Sequence, residues 1–267
     1  MLAYTIHQQK PYFKDIVLIH GLGGNSSIFK YQLDSFKQHF NVITIELPGH
    51  GTSPNTDSYQ EPFTIQIAAQ EVLKTLDHLK IKEAHFVGVS LGTIVIHQLL
   101  TDAPKRVKSV VMAGALTRFN PLSRSLLTLG NAVKSFTPHL WIYKLFAHIM
   151  MPKKNHKRSR DIFIREATKM KRSDFLGWYN IVAKVESIYK GSLKIPNTIE
   201  KLYVSGSEDH LFLKPLLEDL KKDLYAKKFV INHCGHVCNI EKHREFNDVS
   251  IDFLQKQGKV EAIPKSS

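Results

Sequence analysis

Apolar residues arrive along this chain in short dense runs. DIVLIH (15–20), NVITIEL (41–47), AHFVGV (84–89), VKSVVMAG (107–114), KLYVSG (201–206) and KFVINH (228–233) are rich in β-branched residues. Most are nearly continuously apolar, the pattern of strands covered on both faces of a parallel sheet. Between several of them the period changes. Residues 63–79 place Ile65, Ala69, Val72, Leu76 and Leu79 three and four apart, one apolar stripe with charges opposite. LGTIVIHQLLTD (91–102) and EFNDVSIDFLQKQ (245–257) supply further helical stretches. Strand and helix alternation of this kind predicts an α/β fold with a mostly parallel central sheet flanked by helices.

Residues 118–190 break the rhythm. They hold helix-like stretches, SRSLLTLGNAVKSF (123–136) and SRDIFIREATKM (159–170), with Trp141, Tyr143, Trp178 and Tyr179 and no convincing strand. The reading is a helical insertion in a core made of residues 1–117 and 191–267. A chain of 267 residues suits one large domain with such an insertion. No internal repeat is seen, and the tail VEAIPKSS (260–267) is expected to be loose.

Charge sharpens the same boundary. The formal net charge is +13, and residues 118–190 carry 15 Lys and Arg against 4 Asp and Glu, so +11 sits in the insertion. Basicity confined to one segment argues against a nucleic-acid face. The run KKNHKRSR (153–160) fits a solvated charged turn better than an anion or lipid surface. No stretch reaches the roughly 18 apolar residues of a membrane span. The N-terminus lacks a basic segment followed by an apolar core, so a cytoplasmic protein is expected. Cys234 and Cys238 form neither a disulfide framework nor a C-x-x-C pair, and the 14 histidines lack paired-ligand spacing. No metal and no cofactor are expected.

Chemistry is carried by GVSLG (88–92), in which Ser90 follows a buried strand and precedes a helix. A serine hydroxyl projects from such a turn only if its neighbours are very small, and Gly88 and Gly92 supply the room. The helix that follows aims unpaired N–H groups at the site, so the Leu91 amide can receive an oxyanion. An isolated copy reads equally well as a serine cap between packing glycines, but this one has the strand and the helix that an elbow requires. A serine nucleophile needs a histidine base and a carboxylate to orient it. Asp209 follows KLYV in SGSEDH, and His236 follows KFVIN in HCGHVCN, each at the tip of a successive strand. The order Ser90, Asp209, His236 is the one this architecture demands. His233 closes a strand-like run and His210 reads as a loop residue. Glu208 is one residue too early to be the preferred acid. His20 and His50 belong to turns at the rim, His20 shaping the first loop. A thiol mechanism is given little weight, because free cysteines are usually small buried hydrophobes.

With HGLGG (20–24), LPGHGTS (47–53), SGSEDH (205–210) and GHVCNIE (235–241) beside the elbow, the chain resembles the α/β-hydrolase superfamily, of the small bacterial esterase and lipase type. The resemblance spans about residues 15–255. It implies that Leu22 gives the second oxyanion-hole N–H and that residues 118–190 form a cap or lid over the pocket. Thr93 stands where another glycine is frequent, so helix packing is expected to differ slightly. The implied activity is cleavage of small-molecule carboxylic esters, including monoacyl lipids, through an acyl-enzyme. Lactone opening, carbon–carbon bond hydrolysis and perhydrolysis use the same triad and stay open, as does a slow-turnover binding or signalling protein. Dehalogenase and epoxide hydrolase relatives carry Asp at the elbow, and a proline iminopeptidase would have an acidic lid, so these are disfavoured. For Phe136, Trp141, Phe146, Trp178 and Tyr179, anchoring of the lid is favoured over lining the pocket for most.

Overall fold

The protein is described by a computed structural model covering residues 1–256, and the expectation for the tail at 260–267 lies outside the described residues. Seven strands form one sheet: β1 (Tyr4–Gln8), β2 (Lys14–Ile19), β3 (Phe40–Ile45), β4 (Ala84–Val89), β5 (Val107–Ala113), β6 (Lys201–Gly206) and β7 (Ala226–Ile231). Their order is β1-β3-β2-β4-β5-β6-β7. β2 to β7 run parallel, and β1 pairs antiparallel with β3. β3, β4 and β6 are buried along their whole length, which is why they read as unbroken apolar runs.

The sequence reading did not single out β1. Its residues YTIHQ are half-buried or exposed, because an antiparallel edge strand has one strand neighbour and a wet face.

Helices fill the crossovers: α1 (Lys30–Phe36) after β2, α2 (Ile65–His78) after β3 and α3 (Leu91–Asp102) after β4. α2 buries Ile65, Ala68, Ala69, Val72 and Leu76, the stripe its spacing predicts apart from half-buried Leu79. From β2 the chain steps outward to β3, then returns to the far side of β2 to lay down β4. Right-handed crossovers in opposite directions put α1 and α2 on opposite faces. The reversal leaves a crevice beyond the carboxyl ends of β2 and β4, where such sheets bind ligands.

Between β5 and β6 lie α4 (Pro121–Val133), α5 (His139–Met150), α6 (Lys157–Ala167), α7 (Arg172–Val182) and α8 (Val185–Lys194). Asn120 caps α4, its Oδ1 accepting from Ser123 N at 2.8 Å, and Pro121 occupies the first turn, where its missing N–H costs nothing. α8 packs against α3, with Ser192 Oγ and His97 Nδ1 3.1 Å apart. It thus serves as the crossover back to the sheet, while α4 to α7 arch over the crevice. After β6 come α9 (Leu213–Asp219), α10 (Cys238–Glu241) and α11 (His243–Lys256). Among the described residues no helix is long and apolar enough to cross a membrane.

Candidate active site

The turn from β4 into α3 forces Ser90 to φ +51°, ψ −109°, a left-handed conformation that costs a non-glycine residue about 1–3 kcal/mol. Surroundings hold it there. Ser90 N donates to Ala113 O at 2.9 Å, and Thr93 donates twice to Ser90 O, from N at 2.9 Å and from Oγ1 at 2.6 Å. Thr93, the departure from the family pattern, therefore braces the elbow with its hydroxyl. A Cβ on Gly92 would lie 2.3 Å from Ile19 O, and one on Gly88 would lie 2.8 Å from the Gly92 backbone. Both positions need glycine because the helix start passes so close to the strands.

His236 and Asp209 come in from the tips of β7 and β6. Ser90 Oγ donates to His236 Nε2 at 3.0 Å, and His236 Nδ1 donates to Asp209 Oδ2 at 2.7 Å. The direction follows from the carboxylate, which can only accept, so the proton sits on Nδ1 and Nε2 is left as acceptor. His236 and Asp209 are buried, Phe212 packs 5.2 Å from the imidazole, and Ser90 keeps partial exposure. Gly114, at φ +54°, makes room for the ring: a Cβ there would meet His236 O at 2.6 Å.

The rival residues sit elsewhere. The His233 side chain is exposed and lies 3.8 Å from Glu208. The carbonyl of His210 accepts from Asn120. Cys234 and Cys238 are buried, and burial pushes both thiols well above their ordinary pKa.

The loop after β2 is shaped by two neutral imidazoles. His20 Nδ1 donates to Gly21 O at 2.8 Å and Nε2 accepts from Leu47 N at 3.0 Å. His50 Nδ1 donates to Pro48 O at 3.0 Å and Nε2 accepts from Gly23 N at 3.0 Å. Burial lowers the pKa of both rings, that of His50 strongly. With Gly23 N engaged, Leu22 borders the cavity beside Ser90 and Leu91. Among the described residues neither the Leu22 nor the Leu91 amide donates to a protein acceptor.

α4 to α7 enclose a cavity of about 440 Å³ that opens on Ser90. Ile94, Leu116, Phe119, Leu127, Phe163 and Val182 are among its apolar walls. Of the five aromatics raised by the sequence, Trp141, Phe146 and Tyr179 line it, Phe136 points to solvent, and Trp178 is an anchor, its Nε1 donating to Pro48 O at 2.8 Å. A second hollow of about 30 Å³ lies on the other side of Ser90, bordered by Gly21, Val89, Ser159 and His236.

The basic run at 153–160 is not simply a solvated turn. Lys153 Nζ, Asn155 Nδ2 and His156 Nε2 all reach the Glu208 carboxylate, at 2.9, 2.9 and 2.8 Å. Ser159 Oγ donates to Glu241 Oε1 at 2.7 Å, and Gly235 N donates to Glu241 Oε2 at 2.7 Å. His156 and Ser159 are fully buried. The donors on Glu208, Asn155 first and Lys153 next, draw its pKa down to about 2. This clamp grips the residues directly before Asp209 and His236. It was missed because it is built from side chains more than 50 residues apart; Glu208 directly before Asp209, and Glu241 five residues after His236, were its only traces in the sequence. Tyr143 Oη to Leu22 O at 2.7 Å, and Asp174 Oδ1 accepting from Thr56 N at 2.7 Å, pin the cap to the two rim loops.

Comparison with known proteins fits this arrangement. The model of the alpha/beta hydrolase fold family matches residues 15–138. RutD of Stutzerimonas stutzeri (strain A1501), named as a candidate carbamate hydrolase, is 25% identical over 268 residues, covering 96% of this chain and 97% of its own. Among solved structures, one from a study of carboxylesterases of the thaumarchaeon Nitrososphaera gargenis superposes with TM-score 0.78 at 22% identity, over 96% of this chain and 94% of the other. The enol-lactonase of Burkholderia xenovorans LB400 superposes with TM-score 0.76 at 21% identity, over 95% and 96%. Those two likenesses concern the fold. Sheet order, elbow and family match together give the chain the α/β-hydrolase fold.

Proposed function

We propose that this hydrolase cleaves carboxylic esters carrying a bulky apolar group, through an acyl-enzyme on Ser90. The observation that carries the reading is Ser90 Oγ, 3.0 Å from His236 Nε2, at the floor of the apolar cavity. As Oγ attacks the ester carbonyl its proton passes to Nε2, and Asp209 stabilises the imidazolium that results. The carbonyl oxygen, now negative, is received by the Leu22 and Leu91 amides, each contributing about 3 kcal/mol. Collapse breaks the bond to the alcohol oxygen, which takes the proton from Nε2. Water then attacks the acyl carbon as His236 takes its proton, and collapse breaks the bond to Ser90 Oγ, which recovers that proton from Nε2 as the acid leaves.

A carbamate presents a carbonyl to the same serine. The cavity walls favour the ester, because they are largely aliphatic and aromatic and offer a small polar acyl group few partners. The two hollows of unequal size favour an ester with one long arm and one small one.

The test is a p-nitrophenyl ester series of increasing acyl length, run beside a phenyl carbamate. Each methylene buried contributes about 0.8 kcal/mol, so kcat/KM is expected to rise roughly fourfold per carbon until the cavity is full. Ser90→Ala is expected to abolish turnover with the fold intact. A flat series, or a preference for the carbamate, would contradict the ester assignment. Covalent labelling of Ser90 without turnover would point to a binding protein instead.

A further inference from the structure

Five of the ten exposed large apolar side chains among the described residues lie between 122 and 145. Leu122, Leu129 and Phe136 recur every seven residues along α4 and just past its end, and Trp141 and Leu145 sit one turn apart on α5. Spacings of seven and four put Leu122 with Leu129, and Trp141 with Leu145, on one face of their helices, and Phe136 follows in the turn after α4. The two sets adjoin, because Leu129, Trp141 and Leu145 border the same cavity that opens on Ser90. The ridge is therefore wet on the outside and forms the rim of the cavity on the inside. A monomer in water gains nothing from such a patch, which marks an interaction surface.

Charge selects the partner. From Phe119 through Arg160 there is no Asp or Glu, while Arg124, Lys134 and Lys144 punctuate the ridge. Lys144 and His148 share the exposed face of α5 with Trp141 and Leu145. Glu186 pairs with Arg124 at 3.4 Å, which still leaves Lys134 and Lys144 beside the apolar stripe; that cationic excess matches an anionic lipid surface, where acyl chains receive the stripe and headgroups the cations. We infer that the α4–α5 ridge docks on an anionic lipid–water interface, with the mouth of the cavity facing the lipid. The surface would bind whether or not Ser90 turns anything over, so the inference stands apart from the ester assignment.

The chain carries its own probe. It has two tryptophans; Trp141 is 68% exposed on the ridge and Trp178 is fully buried. Ser90→Ala protein, used so that no lipid is hydrolysed, is mixed with phosphatidylcholine vesicles with and without phosphatidylglycerol, and with acyl-brominated analogues. Expected are a blue shift and bromine quenching of Trp141 emission, with partition onto the anionic vesicles about tenfold or more tighter. Leu122→Ser with Phe136→Ser, at two exposed positions outside the cavity, should weaken partition by about tenfold or more. In an otherwise wild-type chain the same pair should leave hydrolysis of a short soluble ester and the thermal midpoint unchanged, which separates lost docking from lost folding. Absence of quenching, or equal partition onto neutral and anionic vesicles, would overturn the inference. So would a dimer in sedimentation velocity that the double variant abolishes, since the ridge would then be covered by a second copy.

Discussion

At the scale of single residues, the proposed proton relay gives Asp209 and the clamp behind it different roles. Asp209→Asn keeps the shape but lets the imidazole take the wrong tautomer, and kcat should fall by about 10⁴. Glu241 touches neither Ser90 nor the cavity; it holds Gly235 N at 2.7 Å and the cap's Ser159 at 2.7 Å. Glu241→Gln keeps the acceptor oxygen for one of these bonds and should cost little. Glu241→Ala frees the loop that carries His236, and a misplacement of about 1 Å costs on the order of 10²-fold in rate. The expected result with a short soluble ester is a fall in kcat with KM held and rescue in the Gln variant. A rise in KM alone would instead assign the clamp to cavity shape.

At the scale of elements, the elbow depends on two contacts too close for a methyl group. Gly92→Ala would drive a Cβ to 2.3 Å from Ile19 O. The overpacking should destabilise the fold by about 1–3 kcal/mol in urea titration and also displace Ser90; a variant as stable and as reactive as the parent would contradict that packing. This element was legible from the sequence because strand, small residues and helix are local. Of the parallel strands, β3, β4 and β6 were the most legible, since burial on both faces writes them as apolar runs, whereas the edge strand β7 is largely exposed and showed only in its apolar second half. β1 was not, because its edge position leaves it mixed in character. The cap was legible as helical but not in its division of labour. Packing of α8 on α3, and the cap's grip on Glu208 and Glu241, are tertiary facts with no periodic signature. The basic run looked solvated because charge alone does not reveal which of its side chains find a buried carboxylate.

At the scale of the whole molecule, buried neutral histidines set the response to pH. Burial lowers His20 and His50 and brings His85 and His97 to about 3, whereas in the unfolded chain each titrates near 6.5. Below that value the unfolded chain binds more protons, so stability is full above about pH 6.5 and declines as pH falls toward 3, by up to about 1.4 kcal/mol per pH unit for each group. Glu208 adds a second loss of the same sign, between its ordinary 4.5 and about 2. The urea midpoint should be lower at pH 5 than at pH 7.5, and equal midpoints would contradict these buried states. All of this serves one convergence, in which three segments far apart in the chain meet at Ser90. Its most direct measurement is intact mass after brief exposure to a fluorophosphonate, with peptide mapping of the adduct. The account predicts a single adduct on Ser90, formed rapidly in the parent, absent in Ser90→Ala and strongly slowed in His236→Ala. An adduct at another residue, or equally fast labelling without His236, would contradict it.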